Sequence, residues 1–228
     1  MKKEEGIIDI HCHILPALDD GPPDREEALL MLEEAKKQGV SEIVATPHLI
    51  WGGEILKIED IELAINDLPN FIKLYPGCEV PLLEAPSLFE EGKIIATGKL
   101  ILLDTPPIGG LSGLEQFVFK IVLKRYKPVI AHPERNPSFA RDIRRLQHLK
   151  NMGALFQINA DSLVGIQGKE MRRVAENLLE EGIADILASD AHNPEGFKYL
   201  REAFSIVANR YGVETAKAMT RTNIEHFL

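Results

Sequence analysis

The chain has 228 residues, 45% of them apolar and 27% charged, proportions that suit a globular domain with a full hydrophobic core. Its 26 Lys and Arg against 35 Asp and Glu give a formal charge of −9, which argues against a nucleic-acid backbone as the main partner. No apolar run reaches the ~20 residues of a membrane span, the opening MKKEEG does not lead into a signal-peptide core, and Cys12 and Cys78 are too few for a disulfide framework. A cytoplasmic protein of one domain, 1–228, without direct membrane insertion, is the expectation.

Short β-branched runs alternate with longer stretches of helical periodicity, the signature of parallel βα units. The first run, IIDI at 7–10, ends in His11 and His13. A helix follows from the Asp24 N-cap, with Glu27 three residues on, Ala28, Leu32 and Ala35 on one face, and Gly39 at its end. The second strand, 43–46, runs into TPH and His48; a helix near 59–68 then leads to a third strand at 73–78, followed by Glu79. The fourth, 100–103, ends in Asp104, and helix 112–125 follows. The fifth, 128–131, opens into HPER with His132 and Arg135, before helix 138–150. The sixth, 154–158, precedes Asn159 and helix 169–181; the seventh, 185–188, ends in Asp190 and His192, before helices 195–211 and 213–226. The expected fold class is α/β, a single domain with seven parallel strands in a sheet or barrel.

Six of the seven strands thus deliver a metal-capable side chain at the carboxyl end. Loops from every strand of a parallel barrel converge at that rim, which is where barrel enzymes build their sites. Imidazoles with carboxylates, and no cysteine cluster, suit manganese, iron or zinc rather than a structural thiolate site. The donors exceed one coordination sphere, so two or three ions are expected. In an extended chain residues i and i+2 point the same way, so His11 and His13 converge while Cys12 faces the packing side; Asp190 and His192 repeat that spacing. His148 and His226 lie away from any strand end and read as surface or packing residues. Arg135 either binds an anion or caps a nearby carboxylate such as Glu134 or Asp142, and Asn159 is either a turn residue or a hydrogen-bond partner at the rim.

The strings IDIHCHILPALDDGP, ATPH, PGCEV, IAHPERN, SLVGIQGK and SDAHN resemble the PHP (polymerase and histidinol phosphatase) superfamily. Within it they resemble the bacterial manganese-dependent protein-tyrosine phosphatases of capsule and exopolysaccharide clusters, over residues 7 to about 226. The resemblance implies a distorted seven-stranded (β/α)7 TIM-like barrel with a trinuclear site. The implied ligands are His11, His13, Asp20, His48, Glu79, Asp104, His132, Asp190 and His192, with Arg135 on the substrate phosphate. Asp20 enters only through the resemblance, because LDDGPP by itself reads as a turn and helix cap. The chain departs from the pattern in having Asp104 where those phosphatases usually carry Glu, and in the short, apolar LIWGGE after His48.

Three divalent ions against the four carboxylates of that set would leave two net positive charges. With a bridging hydroxide as nucleophile and Arg135 as a bidentate cation, such a site suits a phosphate monoester dianion. The function implied is hydrolysis of phosphotyrosine on a membrane-associated tyrosine autokinase, with manganese as the first metal and iron, zinc or magnesium as alternatives. The rival readings are a small-molecule phosphatase of the histidinol phosphate type and a non-catalytic metal-dependent binding module. The C-x5-R loop of cysteine-dependent tyrosine phosphatases is absent: neither Cys12 nor Cys78 is followed by Arg at that spacing.

Overall fold

Alternating apolar residues set the two layers of the molecule, a computed structural model that describes residues 6–109 and 112–228. The charged opening segment at 1–5, read above for a signal peptide, lies outside the described residues. The strands are β1 (Ile7–Cys12), β2 (Val40–Ala45), β3 (Ile50–Trp51), β4 (Glu54–Ile55), β5 (Lys73–Pro76), β6 (Glu79–Pro81), β7 (Leu100–Asp104), β8 (Lys127–Ala131), β9 (Leu155–Asn159) and β10 (Ile186–Ala188). Ile7, Ile43, Ile101, Leu103, Ile130, Phe156 and Leu187 pack with the helices in an outer core. Their neighbours Ile8, Ile10, Val44, Leu100, Leu102, Val129, Ala131, Ile186 and Ala188 form a separate inner cluster drawn from both sheets. Ile224 is part of that inner cluster, and Phe227 and Leu228 pack against it.

The predicted strands are all present, but the closed seven-stranded barrel is not formed by strand pairing among the described residues. Two parallel sheets are found instead, in the orders β1-β2-β5 and β6-β7-β8-β9-β10. The third predicted strand is the reason at one edge. Proline has no N–H to donate, and after Pro76 the backbone turns at Gly77 and Cys78, so the run pairs with β2 before the break and with β7 after it.

At the other edge β1 meets the chain only beyond β10. The link is a bridge between Cys12 and Ala191, with Asp190 N–H donating to His11 O at 2.8 Å and His13 N–H to Ala191 O at 2.9 Å. Asp9, fully buried, reinforces this seam by accepting from Ser189 N–H at 3.0 Å and Ser189 Oγ–H at 2.5 Å.

The first helix, Arg25–Lys37, starts as expected on Asp24, whose Oδ1 accepts from Glu27 N–H at 3.0 Å. Helices at Ile58–Asn66, Leu114–Leu123, Lys169–Glu180 and Glu195–Tyr211 also match. The predicted helix 138–150 is two, Pro137–Ala140 and Ile143–Asn151, because Asp142 begins a new helix by accepting from Arg145 N–H. The predicted 213–226 is α-helical over Val213–Lys217, widens to a π-helix at Ala218–Thr222 and ends in a 3-10 turn at Glu225–Phe227.

The seam makes a stability prediction. Ser189→Ala removes a donor to a buried carboxylate and also the oxygen that accepts from Ala191 N–H at 3.0 Å. It should cost about 1–3 kcal/mol, seen as a fall of roughly 3–10 °C in the thermal midpoint of a protein this size.

Candidate metal centre

Glu79, 1% exposed at the start of β6, is the hub of the carboxyl-end cluster. Its carboxylate lies 2.9 Å from His48 Nδ1, 2.9 Å from His132 Nε2, 3.2 Å from His11 Nε2 and 3.6 Å from His13 Nε2. Asp190 Oδ1 lies 3.2 Å from His11 Nε2 and 3.4 Å from His13 Nε2. On the outer side Asp20 Oδ1 is 3.2 Å from His192 Nε2 and 3.5 Å from His48 Nε2. Asp104 Oδ1 is 3.6 Å from His132 Nε2. These contacts form four overlapping groups with metal-ligand spacing: His13, Asp20, His48 and His192; His11, His13 and Glu79; His11, His132 and Asp190; Glu79, Asp104 and His132. Every one of the nine residues expected from the sequence falls in at least one group.

Strand alternation explains only part of this convergence. Leu100 and Leu102 face the inner cluster, and Asp104 is next in that register; Ile186 and Ala188 likewise lead to Asp190. His11 does not follow, because Ile8 and Ile10 already occupy the inner face. The β1–β2 register slips between Asp9 and Cys12. That irregularity brings His11 and His13 inward and leaves Cys12 in the outer core. His132 would likewise turn outward after Ala131, and its left-handed backbone, φ 33°, turns it back. Asp190 is left-handed too, at φ 52°. Such conformations cost about 1–3 kcal/mol each and persist where the surroundings impose them.

The electrostatics follow from placing carboxylates and imidazoles together out of water. Burial pulls the His11 pKa down, but Asp190 and Glu79 outweigh it and lift it to about 9. His13 and His48 are raised the same way, against burial, by Asp19 and Asp190 for the first and Glu79 for the second. Glu79 and Asp190 are held well below the carboxylate range despite burial, His11 being the largest favourable influence on each. His192 is lowered by burial and by His13. The cluster therefore demands positive charge at its centre. Its donors are nitrogen and oxygen without thiolate, and His132 Nδ1 is buried with no partner. That set fits divalent ions of borderline or hard character.

Cys12 and Cys78 are buried thiols, the first raised well above its usual value by burial, the second pushed up to about 12 by burial. Arg135 caps neither Glu134 nor Asp142. Its Nη1 donates toward Asp190 Oδ2 at 2.9 Å, and its Nη2 is 3.7 Å from Asp161.

The geometry sits within a known lineage. A family model described as "Capsular polysaccharide synthesis, CpsB/CapC" matches residues 7–228. This chain belongs to the CpsB/CapC family. The tyrosine-protein phosphatase YwqE of Bacillus subtilis is 33% identical over 227 residues, 94% of this chain and 89% of its own length. The tyrosine-protein phosphatase CpsB of Streptococcus pneumoniae is 29% identical over 232 residues, 93% of this chain and 94% of its own. A crystal structure from the description of YwqE and CpsB as unique metal-dependent tyrosine phosphatases superposes with TM-score 0.87 at 33% identity, covering 97% of this chain and 94% of that one. A TatD-family hydrolase of Entamoeba histolytica, TM-score 0.63 at 13% identity over 98% of each chain, shares the fold.

In this CpsB/CapC chain two residues beside the nine were not singled out by sequence reasoning. Asp19 Oδ2 accepts from His13 Nδ1 at 2.6 Å and from His48 N–H at 3.0 Å. Gln157 Oε1 is 2.9 Å from His11 Nδ1. The LDDGPP turn hid Asp19, since either aspartate there reads as a cap; Gln157 carried only its inward register on β9. Asn159, left open above, donates from Nδ2 to Asp190 Oδ2 at 2.7 Å. The ring contacts of Gln157 and Asp19 leave Nε2 of His11 and of His13 facing the cluster. Asp19→Ala and Gln157→Leu should each weaken divalent-ion affinity by roughly 10–100-fold, as read by chelator competition, with the secondary structure unchanged by circular dichroism.

Proposed function

We propose that this chain is a metal-dependent protein-tyrosine phosphatase in which the nine clustered side chains hold two or three divalent ions, manganese first among them. The observation that carries the reading is the convergence of five imidazoles and five carboxylates, Asp19 among them, on one strand-end rim, beside the guanidinium of Arg135. Ions held there would bring a water's pKa toward neutrality and neutralise phosphoryl oxygens.

The chain's own residues do the rest. Asp190 anchors Arg135 through Nη1, which leaves Nη2, near Asp161, to meet a phosphoryl oxygen at the mouth. His11, His13 and Glu79, all fully buried, keep bulk water from the inner groups, whereas Asp20, His48 and His192 stand at the accessible side. A tyrosinate leaves with a pKa near 10, so protonating it is less pressing than protonating an alkoxide. No thiol nucleophile takes part, since both cysteines are buried and neutral. The substrate is a phosphotyrosine segment of a membrane-associated autokinase in capsule export, met at the cytoplasmic face. No helix among the described residues is long and apolar enough to cross a membrane.

The test is a panel of phosphotyrosine peptide, phosphoserine peptide, histidinol phosphate and a dinucleotide, each with Mn²⁺ and after chelation. Phosphotyrosine turnover with Mn²⁺, abolished by chelation and retained by Cys12→Ser, is expected; metal-independent turnover that Cys12→Ser removes would overturn the mechanism. Arg135→Ala should lower kcat/KM by about 10²-fold, the scale of losing one oriented transition-state donor, and Arg135→Lys should restore little because a point charge cannot reproduce the planar fork.

A further inference from the structure

The segment after His48, read from sequence as a short apolar loop, is a two-residue hairpin that carries the only tryptophan of the chain. Ile50 pairs with Ile55 and Trp51 with Glu54 across Gly52-Gly53. Both glycines have positive φ, 59° and 86°, the combination a tight right-twisting hairpin turn needs and L side chains resist. A Cβ on either would meet nothing within 4 Å, so backbone conformation, not space, calls for glycine there.

The hairpin is fixed at its base. Leu49, fully buried, donates from N–H to Glu79 O at 2.8 Å and accepts from Leu56 N–H at 2.9 Å, and Glu79 N–H donates to Pro47 O at 3.0 Å. The same backbone that places Glu79 and His48 therefore places Trp51. The indole lies parallel to the His48 ring, 8° between planes and 5.6 Å between centroids, yet remains 44% exposed. A large aromatic surface is held against a rim imidazole on one side and open to solvent elsewhere. The segments after the carboxyl ends of β6, β7 and, beyond the short helix Ala160–Val164, β9 carry exposed Leu83, Ile108 and Ile166. The centre is polar and charged while Trp51 beside it is aromatic and half-exposed, a pairing that suits a ligand with a charged head and an aromatic body.

Resting on the phosphatase reading above, we propose that Trp51 is a specificity-determining residue that packs against the phenyl ring of the bound phosphotyrosine. With the phosphoryl group at the metal centre, the ring one ester oxygen further out lies at the level of the exposed indole, where an offset or edge-on aromatic contact is available. The role selects an aryl phosphate over an alkyl phosphate without any contact to the reacting atoms.

The test uses the metal-loaded protein. Trp51→Ala should raise KM for a phosphotyrosine peptide about 3- to 10-fold, the range of one aromatic contact, and Trp51→Phe should raise it less. The inhibition constant of inorganic phosphate should stay within about twofold, because phosphate does not reach the indole. The single-tryptophan fluorescence of the wild type should shift on titration with phosphotyrosine peptide and not with phosphoserine peptide. An unchanged KM, or a KM and phosphate constant that rise together as a disturbed His48 would cause, overturns the proposal. If the wild type hydrolyses no phosphomonoester, the phosphatase reading fails, and the fluorescence titration decides Trp51 alone: a selective shift supports the aromatic contact and its absence overturns it.

Discussion

A carboxylate that is almost wholly buried and lies within 3.6 Å of four imidazole nitrogens constrains everything around it. Glu79 is strongly disfavoured in such a place unless positive charge is supplied beside it, because an unpaired buried charge costs several kcal/mol. Among the described residues the ion pairs of the nine clustered side chains include one guanidinium, that of Arg135, and it reaches Asp190 rather than Glu79. The compensating charge must therefore come from protons on the histidines or from divalent ions. The elevation of His11 to about 9 expresses the first route. A divalent ion expresses the second with more charge in less space, and it leaves the imidazoles neutral as ligands.

That demand explains why the strained backbone gathers where it does. Of the four non-glycine residues in the left-handed region among those described, two are His132 and Asp190. The register slip in β1 falls between Asp9 and Cys12, beside the two histidines. Regular strands would send His11 and His132 to the helical side, into an outer core lined by Ile130, Phe156 and Leu187. Each irregularity thus exchanges local backbone energy for a donor turned toward Glu79. The apolar inner cluster beneath, Ile8 to Ile224, tolerates no such exchange and keeps strict alternation. Order in the lower half of the sheets supports disorder in their ladder at the rim, and the Asp9–Ser189 contacts hold the two halves in register across the seam.

The sequence made the strand positions legible because β-branched runs in parallel units are short and bounded by Gly, Pro and polar residues, and the donors were legible because they follow those runs. His11-Cys12-His13 also told correctly which residue turns away, since alternation within the triplet holds even though alternation across Ile10 and His11 does not. What stayed hidden depended on contacts between distant segments. The split of the third strand needs Gly77 and Cys78 to leave the ladder, and KLYPGC was read as one strand although Pro76-Gly77 marks the break within it. The closed barrel was implied by the resemblance and agreed with the strand count, and neither says whether edge strands exchange hydrogen bonds along their length or at one bridge, as between Cys12 and Ala191. Gln157 and Asp19 orient His11 and His13 across 146 and 6 positions of sequence, and only the folded register brings the first into reach. LIWGGE read only as a short apolar segment, and neither its hairpin nor Trp51 over His48 was legible, the latter because ring stacking leaves no spacing pattern.

The two oxygens of Asp190 divide its contacts in a way that ties Arg135 to the clustered histidines. Oδ1 faces His11 and His13, while Oδ2 accepts from Asn159 Nδ2 at 2.7 Å and from Arg135 Nη1 at 2.9 Å. A guanidinium has five N–H donors in a rigid plane, so engaging one nitrogen fixes the direction of the rest. The anchored plane of Arg135 therefore presents Nη2 in a preset direction, 3.7 Å from Asp161. Because the same carboxylate is shared with the inner histidines, any change in charge at the centre alters the pull on Arg135. Two elements, the β9 end through Asn159 and the turn after β8 through Arg135, converge on that single oxygen, so the guanidinium and the clustered rim side chains are positioned by one and the same group.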